Sequence, residues 1–434
     1  MYFNNNVKII STKLLFVGVI LSYTLITAPV IVDGVSLDPI LNGAVLIQDG
    51  KILSVGEASK ISTPEGSVIE KIEYPNATIL PGLIDSHVHL IGVGDGRTGD
   101  DLVALPDGVL AIQAARNARK HLHSGVTTVR DCGARNTITF DLRQAIENGF
   151  TPGPRLVLSG RPIAIVGGHL SYFGQPATGV VECQESVRQL VKEGADFIKI
   201  TATGGSTKTS SPLLPSFNLD ELQAIVNEAH KFQLHVAAHC TSTEGIRRAF
   251  VAGVDTIIHA MFFDHSGKVF YDQELVDQIA EKGVFVNHNL AQTLELVEKM
   301  EILKKDFGLS AEEEIELENV KYFNSLREVW FASMKSSGVT LVAGSDSAWS
   351  YYPMGEFYKE IIAHSDYGMT AMEAIISGTL DAAKSCCVDD VVGSLEQGKN
   401  ADLVVIDGNP LEDIKLLANV LDVFKDGLLV DRSI

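Results

Sequence analysis

Six residues of types that bind metal ions each stand at the end of an apolar run. They are His87 and His89 in LIDSHVHL, Lys199 in FIKIT, His239 in HVAAHC, His259 in TIIHA and Asp346 in LVAGSDSA. On a β-strand residues i and i+2 share a face, so His87 and His89 present two imidazoles side by side. Two neutral imidazoles so placed can take one transition-metal ion. Lys199 has two readings. Its stem can lie along the strand while the amine lifts into water. Alternatively, the buried amine, its pKa lowered, reacts with carbon dioxide and its carbamate oxygens bridge two ions. An unpaired lysine in a dry interior is costly, which favours the second reading. A carboxylate at Asp346 can hold one ion and accept the proton of an attacking water.

Other residues frame this set. His235 has the parity of His239 but lies deeper, as a hydrogen-bonded core histidine would. His288, ending the run VNH, is expected to touch substrate rather than bind metal. Trp349, Tyr351 and Tyr352 follow Asp346, and residues 203–215 are rich in Gly and Ser; both segments suit the walls of a pocket. His121, His123, His230, His265 and His364 fall on helices or loops, in structural places.

Positioning such a set needs several parallel strands that end together. Apolar, β-prone runs occur at 83–90, 127–133, 155–160, 197–201, 235–240, 256–260, 284–290 and 340–346. Between them lie helix-like stretches such as TEGIRRAFVAG and DQELVDQIAEKG, opened by polar cap residues and closed by glycine. Eight strands alternating with helices predict an α/β fold, a (β/α)8 TIM barrel with its site at the strand C-termini; a doubly wound open sheet is the alternative. The barrel is placed at 81–390. Residues 25–80 and 391–434 read differently, as short β-prone runs broken by turns such as Asp49-Gly50. Together they predict a small β-sandwich domain built from both termini.

Composition narrows the partners. The chain has 434 residues and a net charge of -20, which argues against a nucleic-acid partner. Glu312, Glu313 and Glu314 read as a solvated helix face. The five cysteines show no paired spacing and suggest reduced thiols, a slight argument for the cytoplasm. Residues 1–24 form a hydrophobic leader with Lys8 and Lys13 and no acidic residue, a pattern that also suits an export signal or membrane anchor.

The segments PGLIDSHVHL, ADFIKIT, HVAAHC, DTIIHA, LVAGSDSA and GKNADLVVIDGNP resemble the signature segments of the amidohydrolase superfamily. The resemblance runs from about residue 28 onward. It is to the branch holding imidazolonepropionase-like enzymes, Xaa-Pro dipeptidases and ochratoxinase-type hydrolases. It implies two divalent metal ions, zinc by default: one on His87, His89 and Asp346, the second on His239 and His259, with carboxylated Lys199 between them. His169, in GGH, matches a substrate-facing histidine, and Tyr172 in the same segment joins it in the substrate pocket. Arg130-Asp131 resembles a pair supporting the ligands. Ile258 and Ala260 flank His259 where that branch usually has Glu and Gly, which leaves a single-metal enzyme as an alternative. The implied activity is hydrolysis of a C–N bond in a small molecule, a dipeptide or N-acyl amino acid first. Ureas, carbamates or other xenobiotic amides come second, and an inactive binding protein on the same fold is a weaker alternative. Homo-oligomers are expected from the same resemblance.

Overall fold

The computed structural model describes residues 22–65 and 67–433. Most of the leader lies outside these residues, but Ser22–Thr24 already belong to a strand, Ser22–Ile31, so the sheet starts earlier than the sequence suggests. No helix among the described residues is long and apolar enough to cross a membrane.

Both termini contribute to one hydrogen-bonded sheet of eight strands. Its centre is Ala77–Pro81, antiparallel to Leu403–Asp407 on one side and parallel to the end of Ser22–Ile31 on the other. Strands Ile40–Gln48 and Lys51–Glu57 form the hairpin expected around Asp49-Gly50, and both turn residues have positive φ (49° and 78°). That backbone is the one an Asp-Gly turn adopts at least cost. Ile26, Val45, Ile79, Leu403, Val405 and Phe424 give the sheet its own core.

Strands and helices alternate between these ends. The parallel strands Leu83–Val88, Val126–Asp131 and Arg155–Leu158 form one ladder, and Ile198–Thr201, Val236–Cys240, Thr256–His259 and Phe285–Asn287 form another. Asp196 N–H donates to the Leu158 carbonyl (2.8 Å) and joins the two. The eighth expected strand is a correction: residues 340–346 form no regular strand. They stitch the ring closed through single bonds, Val342 N–H to the Val286 carbonyl (2.9 Å) and Asp346 N–H to the His87 carbonyl (2.7 Å). Gly344 explains the irregularity, because a Cβ there would lie 2.6 Å from Ser86 Oγ and 2.9 Å from the His87 nitrogen. Close approach of the backbone at the closure leaves no room for a regular pleat.

Helices pack outside as the sequence punctuation implies. Gln273–Lys282 starts where Asp272 accepts the Leu275 N–H (3.1 Å) and stops at Gly283 with φ 68°. An acceptor at the first turn and a left-handed glycine at the last satisfy backbone groups that the helix cannot. Outward residues such as Ala238, Cys240 and Ile257 meet Ile246, Ala249 and Leu275 in the main core. A long hairpin of helices, Ala291–Phe307 and Ala311–Ser336, lies between the seventh strand and the closing segment. Its second helix begins with the exposed run Glu312–Glu314, as the sequence suggests.

Candidate metal centre

His87 and His89 lie at and just beyond the end of the first barrel strand, so the two rings emerge together with centroids 5.4 Å apart. His89 donates Nδ1–H to the Gly133 carbonyl (2.8 Å), which leaves the Nε2 lone pair free. Nε2 of His87 and of His89 lie 3.6 and 3.8 Å from Asp346 Oδ1, and ligand atoms of the three side chains all fall within 4.8 Å of one another. Those separations are too long for good hydrogen bonds but suit three groups facing a common ion.

The remaining candidates close on the same point. The His259 ring is 5.6 Å from that of His87 and 4.5 Å from that of His239. His239 donates Nε2–H to the Gly204 carbonyl (3.0 Å), so its Nδ1 carries the free lone pair. Lys199, His87, His89, His239, His259 and Asp346 all line one cavity of about 680 Å³. Lys199 Nζ, His87 Nε2 and Asp346 Oδ1 are buried there without a hydrogen-bond partner. Three orphaned polar atoms in one place cost too much to be accidental. Cys240 points the other way, into the outer core, as strand parity requires.

Electrostatics suit ligation. Burial, with the nearby Lys199 adding to it, drives the His87 pKa well below the ordinary value and takes His89 to about 3. Burial also holds His239 and His259 far down. All four rings are therefore neutral, the form that binds metal. Lys199 is shifted down by burial, towards the neutral amine that can react with carbon dioxide. Burial raises the Asp346 carboxyl to about 7. Backbone strain collects at the same place: His259, Asn289 and Asp346 have φ of 68°, 55° and 50°. Such left-handed residues persist where surrounding contacts over-determine them, typically at functional sites.

The support beneath was only partly expected. Asp85 accepts the N–H of His87 (3.2 Å) and of Ser345 (2.9 Å), so one carboxylate pins the first strand to the closing segment. Arg130 and Asp131 make no ion pair with each other, but both brace the segment that carries His87 and His89. Arg130 donates to the Ser86 and Ser385 carbonyls, and Asp131 receives the N–H of Leu90 and Gly133. Ile258 sits in an apolar layer with Ile84, Phe197 and Ala237, away from the ligand atoms. Ala260 has φ 48°, a left-handed backbone that a glycine would adopt with less strain.

His169, Tyr172 and Trp349 line the cavity as expected. His169 Nδ1 lies 3.0 Å from Thr207 Oγ1, which also accepts the Leu170 N–H (3.0 Å). When the Thr207 hydroxyl donates to Nδ1, the ring proton stands on Nε2. Burial takes the His169 pKa to about 3, so it is a neutral donor. Gly205 makes room for it, since a Cβ there would stand 2.7 Å from the ring.

His288 is the correction among the site residues. It does not line the cavity; its Nε2 lies 3.3 Å from Met334 Sδ and its ring packs on Phe331. The seventh strand contributes Asn287 and Asn289 instead. Asn287 Oδ1 is 3.3 Å and Asn289 Nδ2 is 3.1 Å from His87 Nδ1. Both were missed, although their alternation in VNHN places them on the face opposite His288. Glu316, Gln292 and Arg97 also reach the cavity and carry no signal in sequence spacing.

Residues 78–430 match the model of the Amidohydrolase family. The chain belongs to that family. Ochratoxinase of Aspergillus niger is 27% identical over 441 residues, covering 94% of this amidohydrolase and 86% of the relative. A Xaa-Pro dipeptidase crystallised with methionine in its active site is 32% identical. It covers 94% of this chain and 99% of its own, with a TM-score of 0.80. Molinate hydrolase, 25% identical, covers 95% of each chain with a TM-score of 0.76. These similarities fall in the branch that the sequence segments resemble. They give the fold as TIM-barrel type and the chemistry as hydrolysis of amide-type bonds.

Proposed function

We propose that this amidohydrolase is metal-dependent and cleaves the amide of a dipeptide or N-acyl amino acid. The observation that carries the reading is the meeting of Lys199 Nζ, His87 Nε2 and Asp346 Oδ1, all buried and unpartnered, with His89, His239 and His259 in one cavity. In this reading His87, His89 and Asp346 would hold one divalent ion, His239 and His259 would hold a second, and Lys199, once carboxylated, would serve as a ligand to both. Bound ions would supply a water acidic enough to ionise near neutral pH and would polarise the scissile carbonyl.

The chain's own groups do the rest. Asp346 takes the proton of the attacking water as the new C–O bond forms, and returns it to nitrogen as the C–N bond breaks. His169 donates Nε2–H to the carbonyl oxygen as it gains negative charge. Tyr172 and Trp349 give the cavity aromatic walls for the groups flanking the amide.

The test is a panel of Xaa-Pro and Xaa-basic dipeptides, N-acyl amino acids, phenylureas and carbamates, assayed with metal-loaded, chelated and Asp346→Asn protein. Hydrolysis of an amide by the loaded enzyme, lost on chelation and in the variant with metal retained, supports the reading. Full activity of Asp346→Asn overturns the role of that residue. Ureas, carbamates and other xenobiotic amides are the second substrate class, and the phenylureas and carbamates of the panel test it.

A further inference from the structure

Two loops meet at the mouth of the cavity, and one hydroxyl joins them. Residues 203–215 follow the strand that carries Lys199, and the loop they form is pinned at its base. Gly204 N–H donates to the Leu214 carbonyl (3.1 Å), and the Gly204 carbonyl accepts from His239 Nε2 and Thr241 Oγ1 (3.0 Å each). The tip of the loop crosses to the segment that carries His169. Thr209 Oγ1 donates to the Gly167 carbonyl (2.7 Å). Thr207, only 4% exposed, accepts the Leu170 N–H on Oγ1 (3.0 Å) and sets the same atom 3.0 Å from His169 Nδ1. Leu170 has φ 59°, a left-handed backbone that persists only where contacts hold it. The Tyr172 phenol stands beside the same hydroxyl, whose hydrogen bonding opposes the upward push of burial on the phenol. One buried hydroxyl therefore touches three consecutive elements of the substrate side.

We propose that Thr207 is a positioning residue whose hydroxyl fixes the plane of the His169 ring and keeps the ring proton on Nε2. The proposal rests on the amide-hydrolase reading and goes beyond it, because it names what orients the group that meets the carbonyl. A hydroxyl has one proton and two acceptor sites, and the Leu170 N–H occupies one of those sites. With the ring proton on Nδ1, the second site would be filled and Nε2 would turn a bare lone pair towards the cavity. Such a nitrogen repels a carbonyl oxygen. With the hydroxyl proton given to Nδ1, Nε2 keeps an N–H for that oxygen. Ring position follows from the same loop: Gly205 lies against the His169 ring, and the His239 ring stands with its centroid 4.4 Å away. The Gly204 carbonyl sets the tautomer of His239 and Thr207 sets that of His169, so a single loop orients a metal ligand and a carbonyl donor together.

The experiment uses zinc-loaded protein, Thr207→Val, which keeps the shape without the hydroxyl, and Thr207→Ser, which keeps the hydroxyl. Nitrogen NMR of protein with isotope-labelled histidine reads the tautomer, and His169→Gln assigns the signal. Wild type and Thr207→Ser should carry the proton on Nε2, and Thr207→Val should populate both tautomers. Loss of one buried hydrogen bond predicts a kcat about three- to tenfold lower in Thr207→Val, with KM little changed and most of the loss recovered in Thr207→Ser. In a His169→Ala background Thr207→Val should cost nothing more, because a residue that acts through another has no effect once the other is gone. An equal fall of kcat in both backgrounds is the mark of a merely structural role and overturns the inference. A wild-type ring proton on Nδ1 overturns it as well, and that measurement needs no substrate. If the ring proton stands on Nε2 and moves in Thr207→Val while no amide is cleaved, the amide-hydrolase reading fails and the tautomer assignment is supported on its own.

Discussion

Asn287→Ala probes the histidine on which the centre leans most. His87 must offer its Nε2 lone pair, which requires the proton on Nδ1. Asn287 Oδ1, 3.3 Å away, is the acceptor that favours this tautomer. Asn289 Nδ2, at 3.1 Å, is a donor and favours the opposite one. Removing Asn287 therefore leaves His87 beside a donor only. Loss of a partner behind a ligand histidine typically weakens metal binding about 10–100-fold, or about 1.4–2.7 kcal/mol. The competing donor puts the expected loss near the upper end. Asn287 also donates to the Val342 and Gly344 carbonyls (3.0 and 3.1 Å), so the variant loses stability as well. Competitive metal titration well below the melting temperature separates the two effects, and Asn287→Asp supplies a control that keeps the acceptor while losing both donations. The expected order of metal affinity is wild type, then Asp, then Ala. An Ala variant that melts earlier but binds metal as tightly as wild type refutes the tautomer argument.

Three further outcomes follow from the same geometry. Lys199→Met removes a buried amine without a partner, so the metal-free variant should melt higher than metal-free wild type, by about 1–3 kcal/mol of stability, while binding fewer ions per chain; calorimetry and elemental analysis check both. Metal-free protein should lose stability as pH falls from about 6.5, because His87, His89, His169, His239 and His259 stay neutral when folded but protonate when unfolded. Asp131 and Asp346, both raised to about 7, work in the opposite direction: they stabilise below about pH 4 and lose that contribution as pH rises through 7. The histidines outnumber them, so melting curves between pH 7 and 5 should show a net fall, and a flat profile would contradict the neutral cluster. His169→Ala should cut kcat about 10²–10³-fold with metal content intact, as loss of an oxyanion donor does; an unchanged kcat would remove it from the chemistry.

Much of this centre was legible in the sequence because strand parity is local. HxH, the lysine in an otherwise apolar run, and histidines closing later runs each report a face and an end. Residues 340–346 looked like a strand for the same reason, yet Gly344 packs against Ser86 and Asn287, and contact across a closing ring is not written in local pattern. His288 and Asn287 show how narrow the margin is: a shift of one residue exchanged a core side chain for a support of His87. Glu316 was hidden for a different reason. It lies on a solvated, acidic helix, and only the docking of the helical hairpin over the barrel brings it to the rim.

The most direct test of the central claim is the metal content of the purified protein, measured by elemental analysis beside a His87→Ala, His89→Ala double variant. The account predicts two divalent ions per chain in the wild type, and loss of at least the ion held with Asp346 in the variant. A folded wild-type protein that takes up no zinc, manganese, cobalt or iron would contradict it.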